Sequence, residues 1–232
     1  MNLNIDVLQK KFGKSLIIKE ELSKYSWFNL GGPADIFFRP ENKVQLIKFL
    51  NAIEKNKLKI HILGAGSNTL IRDAGVKGVV IKLGSKFSTI KLLEKDTIEV
   101  GASTLDRKIS EFAKNNDISG MEFLSCIPGS IGGAVIMNSG CYGSDISKIL
   151  LSIKVVNEKG LEKEIKKDEI KFFYRGTDIA KNYIILSAVL RGNISSKQLI
   201  TEKQEKLIER KKKSQPTKIK TGGSTFKNSN DK

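Results

Sequence analysis

Two glycine-rich stretches carry the residue types that bind phosphate. The first glycine loop, residues 64–68, reads Gly-Ala-Gly-Ser-Asn and follows a short apolar run that predicts a β-strand. Consecutive backbone N–H groups in such a loop can form an anion-binding nest, to which serine and asparagine side chains add donors. The third glycine and helix of a dinucleotide-binding fingerprint are missing, and no Walker sequence is present. A plain surface turn is the alternative interpretation.

The second glycine loop, residues 128–134, opens with Pro-Gly-Ser, which predicts a turn into a short helix. Ser130 can cap that helix, and the N–H groups at a helix start attract anions. Gly132 and Gly133 remove side chains where a ligand or another backbone segment comes close. A tight packing corner is the alternative, but the presence of the first glycine loop favours phosphate binding.

Three single residues have side chains that can do chemistry. Arg175 follows Phe-Phe-Tyr, so its guanidinium can bind a carboxylate bidentately beside apolar side chains, whereas a surface ion pair is the alternative. Ser224 lies between a glycine pair and Thr-Phe-Lys-Asn, where a turn residue is the usual interpretation. His61 falls inside a predicted strand, which favours a structural role over that of a catalytic base. Serine-hydrolase chemistry has little support, since the chain contains no Gly-x-Ser-x-Gly elbow.

The composition limits the class of protein. The chain has 232 residues, 39% of them hydrophobic, with no secretory signal and no apolar run near the ~20 residues of a membrane span. Its two cysteines, Cys126 and Cys141, have no Cys-x-x-Cys spacing, which predicts neither a metal site nor a disulfide. We therefore expect a cytoplasmic protein without a metal or a membrane-inserted segment.

The formal net charge of +16 comes mainly from lysine, since only six of the 41 basic residues are arginine. Recognition of nucleic acid favours arginine, whereas scattered lysine suits a solvated surface or weak attraction of polyanions. We therefore expect no nucleic-acid partner. A lysine-rich polyanion-binding protein without enzymatic activity is the alternative from a different functional class. The same field favours a nucleotide ligand.

Strands and helices alternate at first, and strands dominate later, which predicts an α+β protein of more than one layer. A short helix and an extended segment are expected within residues 1–24. Further helices are predicted at about 42–56, 105–115 and 196–213, and strands at 36–39, 59–63, 79–83, 90–93, 97–100, 149–157, 161–165 and 182–190. Ser103 or Thr104 is expected to cap the helix at 105–115.

Five ordered motifs resemble the UDP-N-acetylenolpyruvoylglucosamine reductase (MurB) family, flavoenzymes of peptidoglycan precursor synthesis. They are Trp27-Phe28-Asn29-Leu30-Gly31-Gly32-Pro33-Ala34, Leu63-Gly64-Ala65-Gly66-Ser67-Asn68, Ile127-Pro128-Gly129-Ser130-Ile131-Gly132-Gly133-Ala134, Phe173-Tyr174-Arg175 and Gly223-Ser224-Thr225-Phe226-Lys227-Asn228. The resemblance covers the chain from about residue 25 to its end. No tyrosine follows Tyr183, so the chain resembles the short-loop subclass.

The resemblance implies an α+β, two-subdomain FAD-binding fold of the vanillyl-alcohol-oxidase (PCMH) type, followed by the start of a substrate-binding domain. The implied bounds are residues 1–82 and 83–193 for the two FAD-binding subdomains and 194–232 for the third unit. FAD is then held between the two subdomains. The implied cofactor-binding residues are those of the glycine loops: Gly64, Ala65, Gly66, Ser67, Asn68, Pro128, Gly129, Ser130, Gly132, Gly133 and Ala134.

The implied reaction reduces the enolpyruvyl ether of UDP-N-acetylglucosamine to UDP-N-acetylmuramate, with NADPH as reductant and FAD as hydride carrier. The resemblance gives Arg175 the role of stabilising charge on the substrate carboxylate, and Ser224 that of general acid toward the enolic carbon. Tyr174, Lys227 and Asn228 are the implied substrate-binding residues. The expected partners are thus the UDP-sugar and NADPH, and the expected state is a monomer. Another FAD-dependent oxidoreductase of the same fold, acting on a small hydroxy acid or alcohol, is the alternative enzyme.

The chain departs from the family pattern after Asn228. Family members usually have proline next, where this chain has Ser229, and continue into a substrate domain whose end supplies a catalytic glutamate. We therefore expect a C-terminally truncated member of the family. Residues 1–193 are expected to fold and bind FAD, while reductase activity is expected to be weak or absent.

Overall fold

A computed structural model describes residues 4–215 of the chain. The predicted site residues Ser224, Lys227 and Asn228 lie outside this range. The helices of the described part are α1 (Ile5–Phe12), α2 (Lys43–Ile53), α3 (Asp106–Asn115), α4 (Ile131–Ile136) and α5 (Lys197–Ser214). Between residues 4 and 215, none of these helices combines the length and the apolar character needed to cross a membrane.

The strands of the same part include several of only two residues. They are β1 (Leu16–Glu21), β2 (Pro33–Phe38), β3 (Ile60–Ile62), β4 (Val76–Ile81), β5 (Ile90–Glu94), β6 (Thr97–Gly101), β7 (Ile118–Ser119), β8 (Gly140–Cys141), β9 (Ser144–Asp145), β10 (Leu150–Val156), β11 (Glu162–Lys166), β12 (Phe172–Phe173), β13 (Gly176–Thr177), β14 (Ile184–Arg191) and β15 (Asn193–Ile194).

Two sheets organise these elements. The first has four strands in the order β1-β2-β4-β3, with β1 antiparallel to β2 and the other neighbours parallel. The second has five antiparallel strands in the order β11-β10-β14-β6-β5. Because β3 is an edge strand, the loop that follows it leaves the first sheet at its border. The predicted α+β class is confirmed.

An aromatic cluster forms part of the core that packs on the first sheet. The rings of Phe38 and Phe49 stack with centroids 3.9 Å apart, and Phe12 meets both rings edge-on at 5.4 Å. Phe49 lies on α2, whose buried residues recur every three or four positions as expected for an amphipathic helix. Asn42 caps α2, since its side chain accepts the Gln45 N–H at 2.9 Å. The cluster joins α1, α2 and β2.

The second core lies against the antiparallel sheet. Buried apolar side chains of α3 and α4, including Ile109, Ile131 and Val135, pack with those of β6, β10 and β14. Helix α5 docks on this unit through buried Ile200 and Gln204, and the Gln204 amide donates to the Ser110 hydroxyl at 2.7 Å. The position of α4 in this core determines where the second glycine loop can lie.

The predicted helices and longer strands are confirmed to within three residues at each end. The predicted cap of α3 is wrong, because Leu105 occupies the N-cap position and makes no side-chain bond. The Ser103 hydroxyl donates instead to the Gly84 carbonyl at 3.0 Å, and the Thr104 hydroxyl to the Thr89 carbonyl at 3.3 Å. Both hydroxyls therefore tie this segment to the connection between the two sheets.

Replacement of Phe49 by alanine tests the aromatic cluster. Phe49 is fully buried, so Phe49→Ala should lower the free energy of unfolding by about 3–5 kcal/mol, through lost burial and the cavity left behind. Val44→Ala on the same helix is the control, since Val44 is 58% exposed and should change stability by no more than about 0.5 kcal/mol. Urea denaturation measures both, and equal losses in the two variants would contradict this assignment of the core.

Candidate functional site

The first glycine loop is held by direct contact between backbone segments. A Cβ atom added to Gly66 would lie 2.0 Å from the Tyr25 carbonyl oxygen, and Gly66 has a φ of +75°. The Trp27 N–H donates to the Gly66 carbonyl at 3.1 Å. The short Cβ distance and the positive φ both require glycine at position 66, because a side chain would collide with Tyr25 and would be strained at this φ. The Trp-Phe-Asn-Leu motif therefore supports this loop.

The backbone N–H groups of residues 64–68 are available for a ligand. Within the described part of the chain, none of these five groups donates a hydrogen bond to another protein atom. Ala65 and Ser67 are half-buried, so part of each residue reaches the protein surface. A row of open donors that includes a left-handed residue is the arrangement of an anion-binding nest. The geometry thus fits the chemistry expected from the sequence.

The second glycine loop is anchored to residues 102–106. The Asp106 N–H donates to the Gly129 carbonyl at 3.1 Å, and the Ile131 and Gly132 N–H groups donate to the Thr104 and Ala102 carbonyls, each at 3.0 Å. Ser130 is the N-cap residue of α4, as predicted, but its side chain makes no capping hydrogen bond. Since two N–H groups at the start of this six-residue helix already have partners, the helix start is less open to anions than predicted.

The two glycine loops meet at Gly64 and Ser130. A Cβ atom on Gly64 would lie 2.9 Å from the Ser130 side-chain oxygen, so a larger residue would push the loops apart. Gly133 is different, because its added Cβ would have no neighbour closer than 4.0 Å. The exposed Gly133 therefore borders open space beside the contact. A loop from the first sheet and a loop from the second unit together form one surface.

Arg175 lies in a two-residue turn between β12 and β13, with a left-handed φ of +59°. Its guanidinium lies 5.5 Å from the centroid of the Tyr174 ring. Two hydrogen bonds connect this hairpin to the end of α4: Thr177 Oγ1 donates to the Ile136 carbonyl at 3.2 Å and Asn138 Nδ2 to the Phe173 carbonyl at 3.4 Å. The helix that begins at the second glycine loop thus ends beside the hairpin that carries Arg175.

Asp106 is a buried acid beneath the second glycine loop that the sequence did not reveal. It is fully buried, its carboxyl would touch a Cβ on Gly129 at 2.6 Å, and neither oxygen makes a hydrogen bond of normal geometry among the described residues. Burial raises the pKa of this carboxyl to about 8, and the nearby Gly129 N–H offsets only part of that rise. An aspartate in the first turn of a helix is common, so the pattern alone carried no signal.

His61 lies on β3 and is half-buried. Burial and the neighbouring Lys59 lower the pKa of its imidazole, so the ring is neutral near pH 7. It belongs to the strand before the first glycine loop, as predicted, and does not belong to the surface formed by the two loops.

Known proteins share this architecture. A family model described as an FAD binding domain matches residues 34–166. The UDP-N-acetylenolpyruvoylglucosamine reductase of Pelagibacter ubique is 48% identical over 208 residues, which cover 90% of this chain and 68% of that protein. The crystal structure of the same reductase from Thermus caldophilus matches with a TM-score of 0.79 and 29% identity, covering 92% of this chain and 74% of the other. A VAO-type flavoprotein from Myceliophthora thermophila matches with a TM-score of 0.60 and 12% identity, covering 81% of this chain and 46% of the other.

The matched family model defines a protein with an FAD-binding domain, and the chain shares the fold of a VAO-type flavoprotein. Within that class, the chain belongs to the UDP-N-acetylenolpyruvoylglucosamine reductase family. Both glycine loops fall inside the residues matched by the FAD binding domain. The family resemblance of the five motifs and the FAD-binding fold expected from it are confirmed.

The pH dependence of stability tests the environment of Asp106. Its folded pKa of about 8 exceeds the ordinary value of 3.8, so between these pH values the folded state holds a proton that the unfolded state releases. The free energy of unfolding should therefore fall as pH rises through this window, by up to about 1.4 kcal/mol per pH unit, and level off above it. Asp106→Asn should remove this dependence in urea denaturation between pH 5 and 8.

The control is Asp117→Asn, since Asp117 is exposed and asparagine tolerates its left-handed φ of +57°. This variant should keep the steep pH profile of the unchanged protein. Parallel profiles for Asp106→Asn and the unchanged protein would contradict a protonated, buried Asp106.

Proposed function

We propose that this protein binds FAD between its two sheets and reduces UDP-N-acetylglucosamine enolpyruvate to UDP-N-acetylmuramate with NADPH, in peptidoglycan precursor synthesis. The observation that carries the proposal is the contact between the two glycine loops, which joins open N–H donors of the first loop to the surface around Gly133. The proposal treats residues 1–82 and 83–193 as the two FAD-binding subdomains and residues 194–232 as the start of a substrate-binding unit. It also includes a cytoplasmic location and a monomeric state.

The residues of the two loops fit a diphosphate. Backbone N–H groups of residues 64–68 can donate to phosphate oxygens, and the side chains of Ser67 and Asn68 can add two donors. On the other side, the lack of a side chain at Gly133 leaves room for a bound group. When bound, FAD supplies the hydride chemistry of the reaction. The loops hold and orient this cofactor. The contact between Gly64 and Ser130 fixes the distance between the two loops.

Arg175 is the proposed electrophilic residue of the site. Its guanidinium binds the carboxylate of the enolpyruvyl group and stabilises the negative charge that builds there during reduction. The left-handed turn and the hydrogen bonds from Thr177 and Asn138 support this role, because they fix the hairpin relative to α4. Tyr174, 57% exposed beside it, borders the same carboxylate in this proposal.

Three proposed substrate-site residues lie outside the described part of the chain. Ser224 is the proposed general acid, whose hydroxyl gives a proton to the enolic carbon after hydride arrives at the neighbouring carbon. Lys227 and Asn228 are proposed to contact the nucleotide or phosphates of the UDP-sugar. These roles follow from the motif that the chain shares with its family.

The absorbance of the purified chain tests the proposal. We expect flavin bands between about 350 and 500 nm, directly or after addition of FAD, because the first glycine loop has open N–H donors and Gly133 leaves room for a bound group. NADPH added without oxygen should bleach these bands, and the enolpyruvyl UDP-sugar should restore them as UDP-N-acetylmuramate forms, at the low rate that the weak reductase activity expected from the sequence implies. Stopped-flow absorbance and analysis of the product measure the two steps separately.

The control for the second step is Arg191→Met, because Arg191 lies in surface ion pairs with Glu94 and Asp96, away from the loops. Arg175→Met should keep the flavin bands and slow their restoration by roughly 10²–10³-fold, whereas the control should not. A protein that remains colourless after addition of FAD would contradict the proposal. Steep, salt-dependent binding of RNA by a colourless protein would point to polyanion binding instead.

A further inference from the structure

Lys82 lies directly beneath the first glycine loop. It follows β4, and its backbone N–H donates to the Phe38 carbonyl at 3.0 Å, which fixes the start of the connection between the sheets. Its ammonium group donates to the Gly64 carbonyl. The same group lies 5.9 Å from the centroid of the Tyr25 ring. Lys82 thus contacts both the first glycine loop and Tyr25, whose backbone supports that loop at Gly66.

The ammonium group of Lys82 has no carboxylate partner among residues 4–215, although carboxylates pair with other lysines of the chain. A second cation, the exposed Arg39, lies beside it, because Phe38 and Ile81 pair in parallel register and Arg39 and Lys82 are the residues that follow them. Burial, and then Arg39, lower the pKa of Lys82. A carbonyl oxygen and the face of an aromatic ring are weak compensation for a cation withdrawn from water. The site therefore favours the arrival of an anion.

The open N–H groups of the first glycine loop favour the same anion. Lys82 donates to a carbonyl of the same loop whose N–H groups have no protein partner among the described residues, and Arg39 adds positive charge to Lys82's surroundings. A phosphate bound at this loop would accept from the N–H groups and offset the two cations. The two cations also make this site more selective for anions than the backbone nest alone, because a neutral ligand gains no electrostatic stabilisation from them.

We propose that Lys82 binds the diphosphate of FAD together with the N–H groups of the first glycine loop, and that Arg39 adds positive charge beside it. The inference rests on the proposed function, since FAD, NADPH and the UDP-sugar all contain a diphosphate. FAD is favoured because Gly64, Lys82 and Arg39 all lie within the residues matched by the FAD binding domain. Lys82 is then a cofactor-binding residue that the glycine motifs do not include.

The test compares the dissociation constant of FAD for the unchanged protein and three variants, by titration calorimetry at low ionic strength. Lys82→Met keeps the length of the side chain and removes its charge, and should weaken FAD binding roughly 10- to 100-fold. Lys82→Arg should recover much of that loss. Lys86→Met, four residues further on and exposed, removes the same charge from the surface and should change the constant by less than about threefold.

A second readout separates binding from a merely structural role. Because Lys82→Met removes a half-buried cation that has no carboxylate partner among the described residues, the melting temperature of the FAD-free protein should not fall, whereas the rise in melting temperature on adding FAD should shrink. A purely structural bond to the Gly64 carbonyl predicts the opposite, with a lower melting temperature and an unchanged rise. If Lys82→Met does not fold, Arg39→Met provides the comparison, since its exposed side chain carries little folding risk. It should weaken FAD binding several-fold more than Lys86→Met.

The outcomes distinguish the inference from the proposed function. An unchanged protein that binds no FAD overturns the proposed function, and this inference with it. FAD binding by Lys82→Met, or by Arg39→Met in its place, that equals binding by Lys86→Met overturns the inference alone. A loss of affinity for UDP or NADPH without a loss for FAD assigns Lys82 to another diphosphate and also overturns it.

Discussion

Backbone segments that touch without an intervening side chain are the constraint on which this structure depends. A Cβ atom on Gly32 would lie 1.8 Å from the Asp73 carbonyl oxygen, and one on Gly75 would lie 1.9 Å from that of Pro33. These two approaches hold residues 32–33 against residues 73–75, and the contact between Gly66 and Tyr25 holds the first glycine loop. The contact at Gly66 restricts the first glycine loop, which favours one orientation of its N–H groups before a ligand binds. A donor row that is already in place loses less entropy when an anion binds.

The charges around the two loops are consistent with an anion site. Lys82 donates to a carbonyl of the first glycine loop and Arg39 acts on Lys82, while Asp106, beside Gly129 of the second loop, is buried with its pKa raised to about 8. A protonated Asp106 fills the space beside Gly129 without placing negative charge under the loop. An ionised aspartate there would repel phosphate and would also be poorly solvated. Because burial keeps the Asp106 carboxyl neutral, it avoids a poorly solvated charge in the fold and removes a charge that would repel the proposed ligand.

Local sequence predicted the local parts of this structure well. The glycine spacing identified both loops, and apolar periodicity located the helices and longer strands, since both signals depend on neighbouring residues. The hydrogen-bond partners were less predictable. Ser130 occupies the predicted cap position but forms no cap, because Ala102 and Thr104, distant in sequence, accept the N–H groups around it. Lys82 resembled any other lysine of a lysine-rich chain, and only the return of β4 beside β3 places it under Gly64.

The central claim is that two loops from different sheets form a single cofactor site. Hydrogen–deuterium exchange of the backbone amides, with and without saturating FAD, tests it most directly. The amides of residues 64–68 and of residues 129–134 should slow together as FAD is added, with the same concentration dependence. Protection of only one of the two loops, or of neither while FAD is bound, would show that the loops do not form one cofactor site.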